Sequence, residues 1–100
     1  MNIMLVCALG MSTGMLVERM KEYALSEGKD YKIWAVDQNS VESEIGNFDV
    51  LLMGPQISYL LSDVKEIVGE EIPVEVIAPV DYGRMNGAAV VKKAEQLISR

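Results

Sequence analysis

The sequence predicts one α/β domain spanning residues 1–100, a four-stranded parallel sheet with helices on both faces. Three observations carry this. Four short apolar runs rich in valine, isoleucine or aromatics recur along the chain, and each is bounded by turn residues. Segments of helical period lie between them. The first and third runs are apolar throughout, as strands covered on both faces are.

The first strand is expected at residues 3–6 and leads into a loop over 7–14. A helix over 13–27 follows, with Leu16, Met20, Tyr23 and Ala24 on one face, Glu18, Lys21 and Glu22 on others, and Gly28 as its stop. The second strand, 31–36, precedes a short helix over 40–45. The third, 48–53, precedes a helix over 57–68. The fourth, 74–77, leads to a last helix over 85–99 with Val91, Ala94 and Ile98 on its inner face. Parallel strands joined by helices need right-handed crossovers. In such sheets the functional site lies beyond the carboxyl ends of the strands, where the strand order reverses. The loops at that edge are 7–14, 37–40, 54–56 and 78–83, and Cys7 heads the first.

One cysteine and no histidine exclude an internal disulfide, a zinc cluster of the usual Cys/His type and any triad using the chain's own imidazole. The net charge of −6 argues against nucleic acid, because neutralising phosphates requires a basic surface. Apolar residues 1–10 are soon broken by Ser12, Thr13 and Gly14, then by Glu18 and Arg19. The segment is too short to span a bilayer and lacks a signal peptide's basic start. A cytoplasmic location without membrane insertion is expected, and there a lone thiol stays reduced.

The run Cys7-Ala8-Leu9-Gly10-Met11-Ser12-Thr13-Gly14 leaves a buried strand and enters a helix. Its backbone N–H groups can converge on an anion at the helix N-terminus, so it reads as a phosphate-binding loop. Gly10 and Gly14 tolerate backbone angles other residues avoid, and Ser12 and Thr13 add hydroxyl donors, either of which can cap the helix. The positive helix end favours the thiolate of Cys7, the form that attacks phosphorus. A cysteine at a strand end is also a common apolar filler. The glycine- and hydroxyl-containing loop that begins at this one argues for a functional thiol.

The loop lacks the Lys-Ser or Lys-Thr ending of a nucleotide-binding P-loop, and no lysine or arginine precedes Glu18. It is similar to the cysteine phosphatase signature, a cysteine, five residues, an arginine and a hydroxyl residue, except that Thr13 stands in the arginine's place. That arginine would stabilise the transferring group's charge in the transition state. Its absence predicts slow hydrolysis, which suits a carrier whose phosphothiol must survive until its acceptor docks.

On these residues the chain resembles the enzyme IIB components of the lactose and chitobiose class of the phosphoenolpyruvate-dependent sugar phosphotransferase system. The resemblance rests on Cys7 to Thr13 after a short strand, on Leu51-Leu52-Met53-Gly54-Pro55-Gln56-Ile57-Ser58-Tyr59, on Pro73-Val74-Glu75-Val76-Ile77 and on Tyr82-Gly83. It implies a flavodoxin-like strand order 2-1-3-4, similar to low-molecular-weight tyrosine phosphatases. It implies that Cys7 accepts a phosphoryl group from a phosphohistidine of enzyme IIA. Phospho-Cys7 then passes it to a sugar held by the membrane permease, enzyme IIC, with which the chain would associate peripherally. A β-linked disaccharide such as cellobiose, chitobiose or lactose is the expected sugar. No metal or organic cofactor is implied.

Gln56, near Cys7 at the switch point, can donate its amide to a phosphate oxygen or a partner, or simply cap the next helix. Tyr82 can lend a hydroxyl or aromatic contact at the same rim, or pack over its loop. Asp37 and Asp81 end strands at this edge, but a magnesium-dependent phosphoacceptor would need an aspartate where Met53 and Gly54 stand. Met11 and Met15 can form an adaptable docking patch or fill the core. A cysteine-dependent small phosphatase and a thiol-based redox or binding module remain as alternatives.

Overall fold

The structure, a computed structural model, describes residues 1–8 and 11–99, with Met11 and Ser12 described by their backbone alone. Four parallel strands, β1 (Asn2–Cys7), β2 (Lys32–Asp37), β3 (Val50–Met53) and β4 (Val74–Val76), form one sheet in the order β2-β1-β3-β4. This is the expected order. The helices are α1 (Met11–Ser26), α2 (Leu61–Val68), α3 (Pro79–Gly83) and α4 (Gly87–Ile98).

Alternation along the two central strands sorts the core into two layers. Ile3, Leu5, Val50 and Leu52 meet Leu16, Met20, Val91 and Ala94 beneath α1 and α4. Met4, Val6, Leu51 and Met53 meet Val41, Phe48, Ile57 and Val64 on the other face. Both strands are therefore covered on both sides, as their unbroken apolarity predicts, and each fully buried side chain contributes about 2 kcal/mol. Helix α1 buries Leu16, Met20 and Ala24, leaves Tyr23 half-buried, and ends before Gly28 at φ +70°, a left-handed conformation suited to glycine.

Four expectations change. The helix over 40–45 is replaced by 3-10 turns at Gln38–Ser40 and Glu42–Glu44, since the segment serves mainly to deliver Val41 to the core. The helix over 57–68 divides into a 3-10 segment Pro55–Leu60 and α2, because Ile57 leaves helical angles (φ −116°, ψ 26°) to become buried. On α4, Leu97 is buried and Ile98 is 43% exposed. Ile98 is the last helical residue and borders an open cleft with Ile72 and Pro73. The short helix α3 falls in the segment expected to be loop, where Pro79 begins little more than one turn.

The amino-terminal edge of the sheet is closed by side chains. The backbone N–H of Asn2 donates to Asp49 Oδ2 at 2.7 Å, and Asn2 Nδ2 donates to the Asn47 carbonyl at 2.9 Å. Tyr31 donates its hydroxyl to Glu95 Oε2 at 2.6 Å, and Lys29 Nζ lies 3.3 Å from the same oxygen. The Tyr31 hydrogen bond first, and Lys29 second, hold the Glu95 carboxyl below its usual range against desolvation. The bond to Glu95 chiefly raises Tyr31, and the bond to and charge of Glu95 raise Lys29. Among the described residues no helix is long and apolar enough to cross a membrane.

Candidate functional site

Cys7 is the last residue of β1, paired in register with Asp37 of β2, and its side chain is 3% exposed. Ile3, Leu5 and Cys7 alternate onto the α1 face, which turns the thiol toward the start of α1. There Cys7 Sγ and Thr13 Oγ1 stand 3.2 Å apart. Thr13 is wholly buried and is the only buried polar side chain among the described residues. A strand end and a helix start thus meet through one thiol and one hydroxyl.

Helix α1 begins at Met11, two residues earlier than expected. Ser12 and Thr13 therefore lie inside its first turn rather than at its cap. The buried Thr13 hydroxyl faces sulfur, the position where a phosphatase would direct an arginine. The first turn of an α-helix lies outside the intrahelical hydrogen-bond ladder on its N–H side, and the helix dipole adds partial positive charge at this end. Gly14 is an exposed, ordinary helical residue, so the unusual backbone freedom expected of it is not used. Ala8 is exposed beyond the strand. Leu9 and Gly10, also assigned to the phosphate-binding loop, lie outside the described residues, as do the side chains of Met11 and Ser12.

The loop after β3 comes against the same sulfur-bearing residue. The N–H of Gly54 donates to the Val6 carbonyl at 2.8 Å, extending the β1–β3 ladder by one residue. A Cβ placed on Gly54 would stand 3.4 Å from Cys7 Cβ and 2.8 Å from Gln56 Oε1. The expected neighbourhood of Gln56 and Cys7 is therefore present. Gln56 does not cap a helix with its side chain, since the 3-10 segment has Gly54 at its cap and Gln56 inside it.

Other rim residues have different surroundings. Tyr82 is half-buried and packs against the core layer under α1 and α4. Asp37 accepts the Asn39 N–H at 2.8 Å and so caps the turn after β2. Asp81 lines a cleft of about 560 Å³ between β4 and α4, with Leu52, Ile77 and Lys93. Cys7 is not part of that lining. Met15 is 54% exposed, consistent with a surface role rather than core filling. Sequence reasoning passed over Gln38, which follows Asp37 and whose amide oxygen is buried with no hydrogen-bond partner among the described residues. No spacing signal marked it.

Residues 2–93 match the family described as the lactose/cellobiose specific IIB subunit of the PTS system. The chain is 42% identical over 98 residues to the oligo-β-mannoside-specific EIIB component of Bacillus subtilis strain 168, covering 97% of this chain and 95% of that protein. It is 39% identical over 105 residues, with the same coverage, to the galactose-specific EIIB component of Lactococcus lactis subsp. cremoris strain MG1363. The cellobiose-specific EIIB component of Lactococcus lactis subsp. lactis strain IL1403 matches to the same extent, 39% over 105 residues. The solution structure of a cellobiose-specific phosphotransferase IIB component from Borrelia burgdorferi superposes with a TM-score of 0.83 at 39% identity, covering 99% of this chain and 92% of that one. A lactose-specific IIB domain from Streptococcus pneumoniae shares the fold at a TM-score of 0.80 and 13% identity, with 97% and 96% covered.

Proposed function

The chain belongs to the lactose/cellobiose-specific IIB subunits of the sugar phosphotransferase system, and on that premise we propose that Cys7 is its phosphoryl carrier. IIB components are phosphotransferase components that work with a IIA component and a membrane IIC component. The observation that carries the reading is the Cys7–Thr13 contact of 3.2 Å at the first turn of α1. A nucleophile and neutral donors then share one anion-favouring helix end.

In the first step the Cys7 thiolate attacks phosphorus of a IIA phosphohistidine. The S–P bond forms as the P–N bond breaks, and the departing imidazole nitrogen takes up the proton that Cys7 gave up in forming the thiolate. The chain has no histidine, so that imidazole belongs to the donor. In the second step a sugar hydroxyl bound to IIC attacks phosphorus, the S–P bond breaks and the hydroxyl proton returns to sulfur. Ala8 to Gly14 supply backbone and hydroxyl donors to the phosphoryl oxygens in both steps. Thr13 replaces a charged guanidinium with a neutral hydroxyl, which leaves attack by water slow.

A β-linked disaccharide is the proposed acceptor. Relatives 39% identical to this chain carry galactose-specific and cellobiose-specific names alike, which supports a reading in which the permease, rather than this domain, chooses the sugar. The cytoplasmic face of that permease is the proposed location. Incubation with a phosphorylated IIA donor should add one phosphoryl mass to the peptide containing Cys7, and adding IIC with sugar should remove it. Phosphate released to water in the absence of acceptor, at a rate matching transfer, would instead mark a phosphatase.

A further inference from the structure

Gly54 has φ −61° and ψ 142°, extended angles that any residue adopts. Its missing side chain therefore serves space rather than backbone freedom. The space is bounded on one side by the Cys7 side chain and on the other by the Gln56 amide, 3.4 Å and 2.8 Å from where a Cβ would stand. Alanine here would have to push the amide away from the strand end. Pro55, at the start of the 3-10 segment, presets the turn that brings Gln56 back over Gly54.

Gln56 is exposed, and among the described residues no hydrogen bond occupies its amide. A long polar side chain of this kind ordinarily keeps its rotamer freedom in water. This one lies back across a glycine beside the sole thiol. Its oxygen lies beside Gly54, and the NH2 of the same amide is a donor from which an anion carried on sulfur can accept.

We infer that Gln56 is a catalytic donor, its Nε2 hydrogen-bonding the phosphoryl oxygens on Cys7, and that Gly54 is the positioning residue that keeps room for it. This rests on the reading of Cys7 as the carrier. The amide complements Thr13: both are neutral. Together they orient the group for transfer without the guanidinium charge that would favour hydrolysis.

The test uses the whole protein, a phosphorylated IIA donor, and the variants Gln56→Ala, Gln56→Glu, Gly54→Ala and Gly54→Ala/Gln56→Ala. Gln56→Ala should lower kcat for phosphoryl acceptance about tenfold with KM for the donor within about twofold, the loss expected for one hydrogen bond to a charged group. Gln56→Glu should cost about a hundredfold, because a carboxylate then opposes the phosphoryl charge. Gly54→Ala should match Gln56→Ala, and the double variant should be no worse than either, since the added Cβ acts by displacing that amide. Iodoacetamide, an uncharged reagent, should alkylate Cys7 at the wild-type rate in Gln56→Ala, Gly54→Ala and the double variant, separating the role in transfer from damage to the fold. Wild-type kcat in Gln56→Ala, or additive losses in the double variant, would overturn the inference. A wild-type protein that takes no phosphoryl group overturns the carrier reading with it, whereas acceptance by wild type and Gln56→Ala alike overturns only this one.

Discussion

The two edges of the sheet are built from different chemistry. At the amino-terminal edge, Asn2 bonds to Asp49 across the chain, and Tyr31 and Lys29 both meet the Glu95 carboxylate. At the carboxyl-terminal edge stand a thiol and a hydroxyl in contact, an exposed amide folded over a glycine, and a buried glutamine oxygen with no partner among the described residues. The first edge is tied by bonds within the molecule, whereas the second gathers a thiol, a hydroxyl and an amide. In a parallel sheet the helix N-termini collect at that second edge, so those groups stand in an anion-favouring field. The difference separates an edge that holds the fold from the edge where the proposed transfer site lies.

Cys7→Ser gives the largest expected effect. Phosphoryl transfer should fall by about a thousandfold or more, while stability stays within about 1 kcal/mol. A transfer assay and a denaturant titration of the same preparation check both, and a large stability loss would mean that this edge also holds the fold. Gly87→Ala should do the reverse. Its Cβ would stand 2.4 Å from the Arg19 carbonyl carbon and 2.5 Å from the Met20 nitrogen, where α4 packs on the backbone of α1. Backbone cannot yield as a side chain does, so about 3 kcal/mol of stability should be lost, read as a lower denaturant midpoint.

Thr13→Val is a finer probe of the functional edge. It should slow transfer about tenfold with stability changed by no more than about 1 kcal/mol, because a buried hydroxyl is replaced by a methyl of similar size. Tyr31→Phe should lower stability by about 1 kcal/mol and leave transfer unchanged. The pH dependence follows from the same cluster. Glu95 is lowered, so its contribution is present above about pH 4.5 and is lost as acid titrates the folded carboxyl. Tyr31 and Lys29 are raised, so their contributions are present below about pH 10 and are lost in more strongly alkaline solution. Thermal denaturation across that range should show Tyr31→Phe differing from wild type within the window and converging with it outside.

Most of the fold was legible because its signals are local and repeated. Apolar runs at Ile3 to Val6 and Leu51 to Met53 are buried on both faces, and the period of Leu16, Met20 and Ala24 defines the inner face of α1. Segments shorter than two turns were harder to read. Pro79–Gly83 and the turns around Val41 carry too few residues for a period to show, and neighbouring packing decides their form. Ile57 shows the same rule at one position, since reaching the core outweighs continuing a helix.

By itself, the sequence determined the alternation of strands and helices that makes the sheet parallel, the edge on which Cys7 would lie, and the absence of histidine and of the loop arginine. These depend on residue identity and spacing along the chain. Tertiary structure decided that Thr13 faces the sulfur from inside α1, that Asp37 is used as a cap, and that Gln56 closes over Gly54 beside Cys7. Such contacts join residues from separate strands and turns, and their geometry exists only once the crossovers have brought β1 and β3 side by side.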